Sequence, residues 1–231
     1  MNKEKRSFSS DCFFLILGYG TPENILVDEN YHVYLTIVFN SIFESVERRK
    51  CEKPQLIFCG GNTDFFPPYK RTEAEEMIRF FKNLQRDTFR KKVSRGWRFL
   101  PENKSLSTLE NLLFAEKIIA KKRKSQAGIF IFCEKTREHR IKILARKIFL
   151  NSAFVQIIPI DFDKSSSRYL GKFVEQKEKL ELKHSLWALK NSLHLKKHHL
   201  LFQEKMAILR TTSPEKRAVV LKNFWSQKML F

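Results

Sequence analysis

The sequence predicts an α/β protein: a Rossmann-like three-layer α/β/α fold with about five parallel strands, followed by a C-terminal helical extension. Three observations carry this reading. Short apolar runs alternate with amphipathic stretches as far as residue 160, the pattern of a parallel sheet covered on both faces. Two of the runs end in glycine-bearing turns, LGYG at 17–20 and CGG at 59–61. Beyond Asp163 only helical patterns remain. The polar stretch KSSSR at 164–168 marks the division, giving an α/β domain over 1–163 and a basic helical extension over 164–231.

Each element follows from local pattern. CFFLIL (12–17) reads as a buried first strand, and 31–48 as a helix with Val33, Ile37, Ile42 and Val46 among its apolar positions. QLIFC (55–59) follows Pro54 as the second strand. NTDFFPPYK is a loop, because it holds two prolines and several turn formers. Thr72 and Glu75 have capping-box spacing, and Ala74, Met77, Ile78 and Phe81 form one apolar stripe behind them. Residues 87–96 are basic and polar, with no element assigned. Trp97 to Leu100 is expected as a short strand ended by Pro101. Ser107 and Glu110 open a further helix running to about Lys122, with Thr108, Asn111, Ala115 and Ile118 along one side. GIFIFC (128–133) and FVQIIPI (154–160) are strands, separated by a basic amphipathic helix over 137–149. The extension is expected as helices over about 168–209 and 214–228, the second opened by Ser213-Pro214.

Composition narrows the class. The 231 residues are 42% hydrophobic, enough for a real core. No run approaches the roughly 18 apolar residues of a membrane helix. The start MNKEKRSFSSD is polar and charged without signal-peptide order, so the expected location is cytoplasmic. The four cysteines, Cys12, Cys51, Cys59 and Cys133, show no metal-site spacing, and three fall in strands as small apolar residues. In strand order 3-2-1-4-5, Cys59 and Cys133 stand two strand spacings apart, roughly 9.6 Å, too far for a disulfide. The net charge is +19, and about half of that excess falls in the last 68 residues. Such a tail suits nucleic acid or another acidic partner, or simply a solvated face. His194, His198 and His199 are spaced like metal ligands on a helix, but no third-ligand pattern accompanies them, and no metal is expected.

Ligands of open α/β sheets bind at the carboxyl edge, where the strand-to-helix junctions gather. Gly18, Gly20, Gly60 and Gly61 would bring backbone N–H groups close to such a ligand. Neither turn is a Walker loop or a dinucleotide fingerprint. The acids at the 72–76 helix start argue against a phosphate there; Glu75 fits the cap, leaving Glu73 to orient a hydroxyl or amine. Thr108 and Asn111 are polar at the buried end of their helix, with Glu102 and Ser105 in the approaching loop. Arg137 and Arg140 sit near a helix start, where cations oppose the dipole. An anionic ligand or a Glu partner would explain them. Cys59 or His139 would serve a hydrolase or transferase, although nothing in the sequence orients them as a pair.

The order of these motifs resembles the YdcF-like family, to which SanA and ElyC also belong and which was long catalogued as a domain of unknown function. The resemblance rests on LGYG, on CGG at 59–61, on TEAEEM at 72–77, on Glu102 with Ser105, Thr108 and Asn111, and on Arg140. It covers roughly residues 12–160. The chain departs from the family pattern at Cys59 and Thr72, where the family has Ser, at Cys133, where it has Thr, and at Arg137, where it has His. The resemblance implies a Rossmann-like fold with a pocket over the sheet edge and a nucleotide-like ligand, with S-adenosylmethionine as a possible cofactor. It carries no secure reaction. The expected function is therefore binding of a small anionic or nucleotide-like ligand. Nucleic-acid or acidic-partner binding through the basic helices, and a divergent hydrolase or transferase, are the alternatives.

Overall fold

The fold, seen in a computed structural model, is described for residues 12–49, 51, 54–123, 127–162 and 173–228. The predicted boundary at KSSSR and the expected helix start at 168 lie outside these residues. Five parallel strands form one sheet in the order β3-β2-β1-β4-β5, with β1 Cys12–Leu17, β2 Gln55–Cys59, β3 Arg98–Glu102, β4 Gly128–Glu134 and β5 Phe154–Ile160. The helices are α1 Glu29–Arg49, α2 Glu73–Leu84, α3 Thr88–Val93, α4 Thr108–Lys122 and α5 Glu138–Ile148, then α6 Phe173–Ala188, α7 Ser192–Thr211 and α8 Arg217–Lys228.

Alternation along β1 builds two cores, since successive side chains of a strand point to opposite faces. Phe14 and Ile16 face α1 and α2, and Phe13, Leu15 and Leu17 face α4 and α5. The first core is aromatic. Phe14 and Phe130 stack at 4.9 Å, and Phe58 meets Phe81 edge-on at 4.9 Å. Tyr34 is buried there with its hydroxyl donating to Leu17 O (3.0 Å) or Phe132 O (3.1 Å) at the ends of β1 and β4. Of the four apolar positions named for α1, Ile42 is buried and Val46 packs against the core. Val33 and Ile37 are exposed, and Tyr31, Tyr34, Leu35 and Val38 are buried.

Three boundaries also differ from expectation. Pro101 lies inside β3 rather than ending it; β3 is an edge strand, where a missing N–H costs no ladder bond. Residues 88–93 form the short α3, capped by Asp87 accepting from Arg90 N. The expected helix to 209 is two helices, broken before Asn191, whose side chain caps α7 at His194 N. All four cysteines are free thiols and buried. No helix among the described residues is long and apolar enough to cross a membrane.

Candidate functional site

At the carboxyl edge of the sheet a cavity of about 200 Å³ opens between the turns after β1 and β2, the start of α4, the start of α5 and the extension. Gly18, Gly20, Gly60, Glu73, Ser105, Thr108, Asn111, Arg137 and Arg140 all line it. Gly61 and Glu102 stand behind this wall. The extension is the roof: Lys177 and Glu181 of α6, Phe202 and Lys205 of α7, and Trp225 of α8 complete the lining.

The glycine turns do not act as the sequence suggested. Their N–H groups are spent inside the protein: Gly18 N on Cys59 O (2.8 Å), Gly60 N on Glu102 O (2.9 Å), Gly61 N on Ser105 O (2.7 Å) and Gly20 N on Glu73 Oε1 (3.1 Å). The glycines are required by close approach instead. A Cβ on Gly18 would fall 1.7 Å from Glu73 Oε2, and one on Gly60, at φ +151°, would fall 2.5 Å from Glu73 Cβ. The two turns form a cradle for the Glu73 carboxylate, which also accepts from the Thr63 hydroxyl. A Cβ on Gly61 would collide with the Ser105 carbonyl at 2.3 Å.

The opposite wall is a carboxylate relay. Thr72 and Ser107 cap α2 and α4, accepting from Glu75 N and Glu110 N as the spacing predicted. Glu102, nearly fully buried, accepts from Lys104 N (2.9 Å) and Ser105 N (3.1 Å). Ser105 Oγ lies 2.5 Å from Glu102 Oε2 and in a short contact with Asn111 Oδ1. One hydroxyl proton cannot serve two acceptors. Either the Asn111 amide is turned with its nitrogen toward Ser105, or Glu102 carries a proton. Burial raises the Glu102 pKa in the direction the second arrangement needs, against the hydrogen bonds from Ser105 and Lys104.

Charge enters from α5 and the roof. Arg140 is committed to the protein. Its guanidinium meets Glu178 at 2.7 Å and Glu181 at 2.7 Å, so the expected Glu partner is present twice and the arginine is not left for a ligand anion. Burial alone would raise the Glu181 pKa, but Arg140, Lys177 and Lys205 outweigh it and hold the carboxyl at about 2. Arg137 donates to Gly18 O (2.9 Å) and lies 4.9 Å from the Tyr19 ring centroid. Lys205 Nζ rests 4.4 Å from the Phe202 ring centroid and 5.5 Å from that of Trp225. Burial brings its pKa down to about 8. Neither Arg137 nor Lys205 has an ion pair among the described residues. The Trp225 indole N–H, fully buried, has no hydrogen-bond partner among the described residues.

No protein-family model, curated protein or solved structure matches this chain significantly.

The other candidates separate. Cys59 is fully buried, and burial, together with Glu102 and Glu73, pushes its thiol well up. His139 is exposed and lines a different groove, between α5 and α6. The three α7 histidines diverge: His194 stacks on Trp187, His199 meets Glu110 at 2.6 Å, and His198 turns inward to Ser107 at 2.8 Å. Sequence reasoning missed the whole roof, including Lys205 and Trp225. The signal was faint, because these residues sit in helices whose inward side mixes charge with aromatic rings.

Proposed function

We propose that the chain binds a small ligand with an anionic group in this roofed cavity. The observation that carries the reading is a buried donor without an acceptor, Trp225 Nε1, beside two half-buried cations, Lys205 and Arg137, that have no ion pair among the described residues. A buried donor left unsatisfied costs about 1–3 kcal/mol, and a ligand anion among these groups would recover that cost. Across the cavity, Glu73, Asn111 and Thr108 are placed to orient hydroxyl or amine groups of the same ligand. The site thus presents a cationic end on the roof and a polar neutral-to-acidic end on the sheet edge. Clefts for drug-sized ligands run to roughly 300–1,000 Å³. A cavity of about 200 Å³ therefore favours a phosphorylated or carboxylated small molecule. A whole nucleotide or S-adenosylmethionine, suggested by the YdcF-like resemblance, would require α6–α8 to shift outward.

The test is a thermal-shift screen of inorganic phosphate, sugar phosphates, nucleotides and S-adenosylmethionine, with Lys205→Met and Asn111→Ala as controls. A specific ligand at a hundredfold excess over Kd adds about 2.7 kcal/mol of stability. We expect a sugar phosphate to raise Tm in the native chain and Lys205→Met to abolish the rise. A rise that survives in both variants would place the ligand elsewhere.

A further inference from the structure

A second chemistry sits in the wall of the same cavity. Ser107, the N-cap of α4, lines it, and its Oγ lies 2.8 Å from His198 Nε2. His198 Nδ1 lies 2.9 Å from His184 Nδ1. The two imidazole planes are near-parallel, at 23°, with ring centroids 4.9 Å apart. All three side chains are buried. They come from α4, α7 and α6, and only the docking of the extension brings them together.

We infer that Ser107, His198 and His184 form a nucleophile, base and positioning chain for acyl transfer from a small ester. The inference rests on the cavity being a small-molecule site. In the required tautomer Ser107 Oγ–H donates to His198 Nε2, and His198 Nδ1–H donates to His184 Nδ1. A nucleophile within reach of a base that a third group orients is the geometry that activates a serine. The N–H groups of Thr108 and Leu109, in the first turn of α4, have no hydrogen-bond partner among the described residues. The N–H following a nucleophile and its neighbours at a helix start are natural donors to an oxyanion. Lys205 and Arg137 then select esters that carry a carboxylate or phosphate.

The steps balance without a cofactor. Ser107 Oγ bonds to the carbonyl carbon while its proton passes to His198 Nε2. The bond to the leaving alcohol breaks, and His198 returns the proton to the alcohol oxygen. Water then attacks the acyl-serine, gives one proton to His198, and releases the acid as Ser107 Oγ regains it. Burial lowers both imidazole pKa values, His198 to about 3 and His184 to about 4, so both rings are neutral at physiological pH.

The experiment treats the full chain with diisopropyl fluorophosphate, locates the adduct by peptide mass spectrometry, and follows p-nitrophenyl acetate hydrolysis. A single adduct on Ser107 is expected. Turnover should fall about 100-fold or more in Ser107→Ala and His198→Ala, the usual contribution of a positioned base being 10²–10⁴. His184→Asn, which keeps an acceptor, should retain more turnover than His184→Phe, with kcat rather than KM separating them. The native adduct needs no variant to fold. An unlabelled native chain, or an adduct on another serine, overturns the inference. Labelling of Ser107 with no shift by any anion in the thermal screen would keep the relay and sink the anion reading. A thermal shift unchanged in Ser107→Ala, with no labelling, does the reverse.

Discussion

The two halves of the cavity hold buried charge by different means. On the sheet-edge side, Glu73 is held by backbone and hydroxyl, through Gly20 N and Thr63, in a concavity that exists because Gly18 and Gly60 lack a Cβ. On the roof side, charge is met by charge: Arg140 of α5 is clasped by Glu178 and Glu181 of α6, with Lys177 beside them. The floor is thus fixed by shape and the roof by electrostatics. A further latch runs from Arg210 of α7 to Asp64 O (3.0 Å) and Asn62 O (3.1 Å), while Arg217 lies 4.8 Å from the Phe65 ring centroid. Two kinds of restraint should fail under different perturbations.

The largest expected effect separates them directly. Arg140→Met leaves Glu178 and Glu181, two buried acids, with Lys177 as their one remaining ion-pair partner among the described residues. Removing one partner of a buried ion pair costs about 3–5 kcal/mol, because an uncompensated charge remains. Urea unfolding should show that loss at pH 7. The Glu181 pKa, held near 2 in the native chain, lies below its unfolded value. Its contribution is therefore present above about pH 4.5 and lost as pH falls toward 2. In Arg140→Met that carboxyl is free to protonate, so the gap between variant and native chain should narrow on acidification. A gap independent of pH would mean the pair is not what holds the roof.

Next comes the floor. Gly18→Ala forces a Cβ onto Glu73, and overpacking of this kind costs about 1–3 kcal/mol. Adding Glu73→Ala removes the carboxyl that collides, although Glu73 Cβ still lies 2.9 Å from the new methyl. The double variant should therefore be more stable than the two single costs predict, a coupling that a double-mutant cycle reads directly. This loss should not vary with salt, whereas the Arg140 effect should.

The same contrast explains what the sequence disclosed. The five strands, the two caps and the cavity's position were legible, because strand burial and cap chemistry are local. Asn111 and Ser105 could be placed at the mouth for the same reason. The role of the glycines was not legible. A Gly after a strand permits either a ligand or a neighbouring side chain to approach, and only the fold shows that Glu73 fills the space. The roof was illegible for a different reason. In α6 and α7 the inward positions include Glu178, Glu181, His184 and His198, while Leu193 and Leu200 point outward. Periodicity in hydrophobicity cannot find a face whose buried side is polar.

His184 and His198 make the roof sensitive to mild acid as well. Burial lowers both pKa values below that of a free imidazole, so the unfolded chain binds more protons than the folded one between about pH 6.5 and 4. Stability must then fall as pH drops through that window. Equilibrium unfolding at pH 7, 6, 5 and 4 should show the decline, and His184→Phe combined with His198→Phe should flatten it. If the slope persists in the double variant, the histidine pair is not its source.

The smallest effect probes Lys205 alone. Burial lowers its pKa from 10.5 to about 8, so between those values the unfolded chain holds more protons. Stability should therefore rise modestly as pH increases from 8 to 10.5. Anion binding should move the opposite way, since a deprotonated amine cannot hold a phosphate. Affinity for the ligand found in the thermal screen should weaken above about pH 8 in the native chain. It should be weak at every pH in Lys205→Met. Because the protein gains stability over the range in which it loses ligand, unfolding of the roof cannot account for the lost affinity. Ligand affinity that stays level from pH 7 to 10 would mean that Arg137 and Trp225 hold the anion without Lys205.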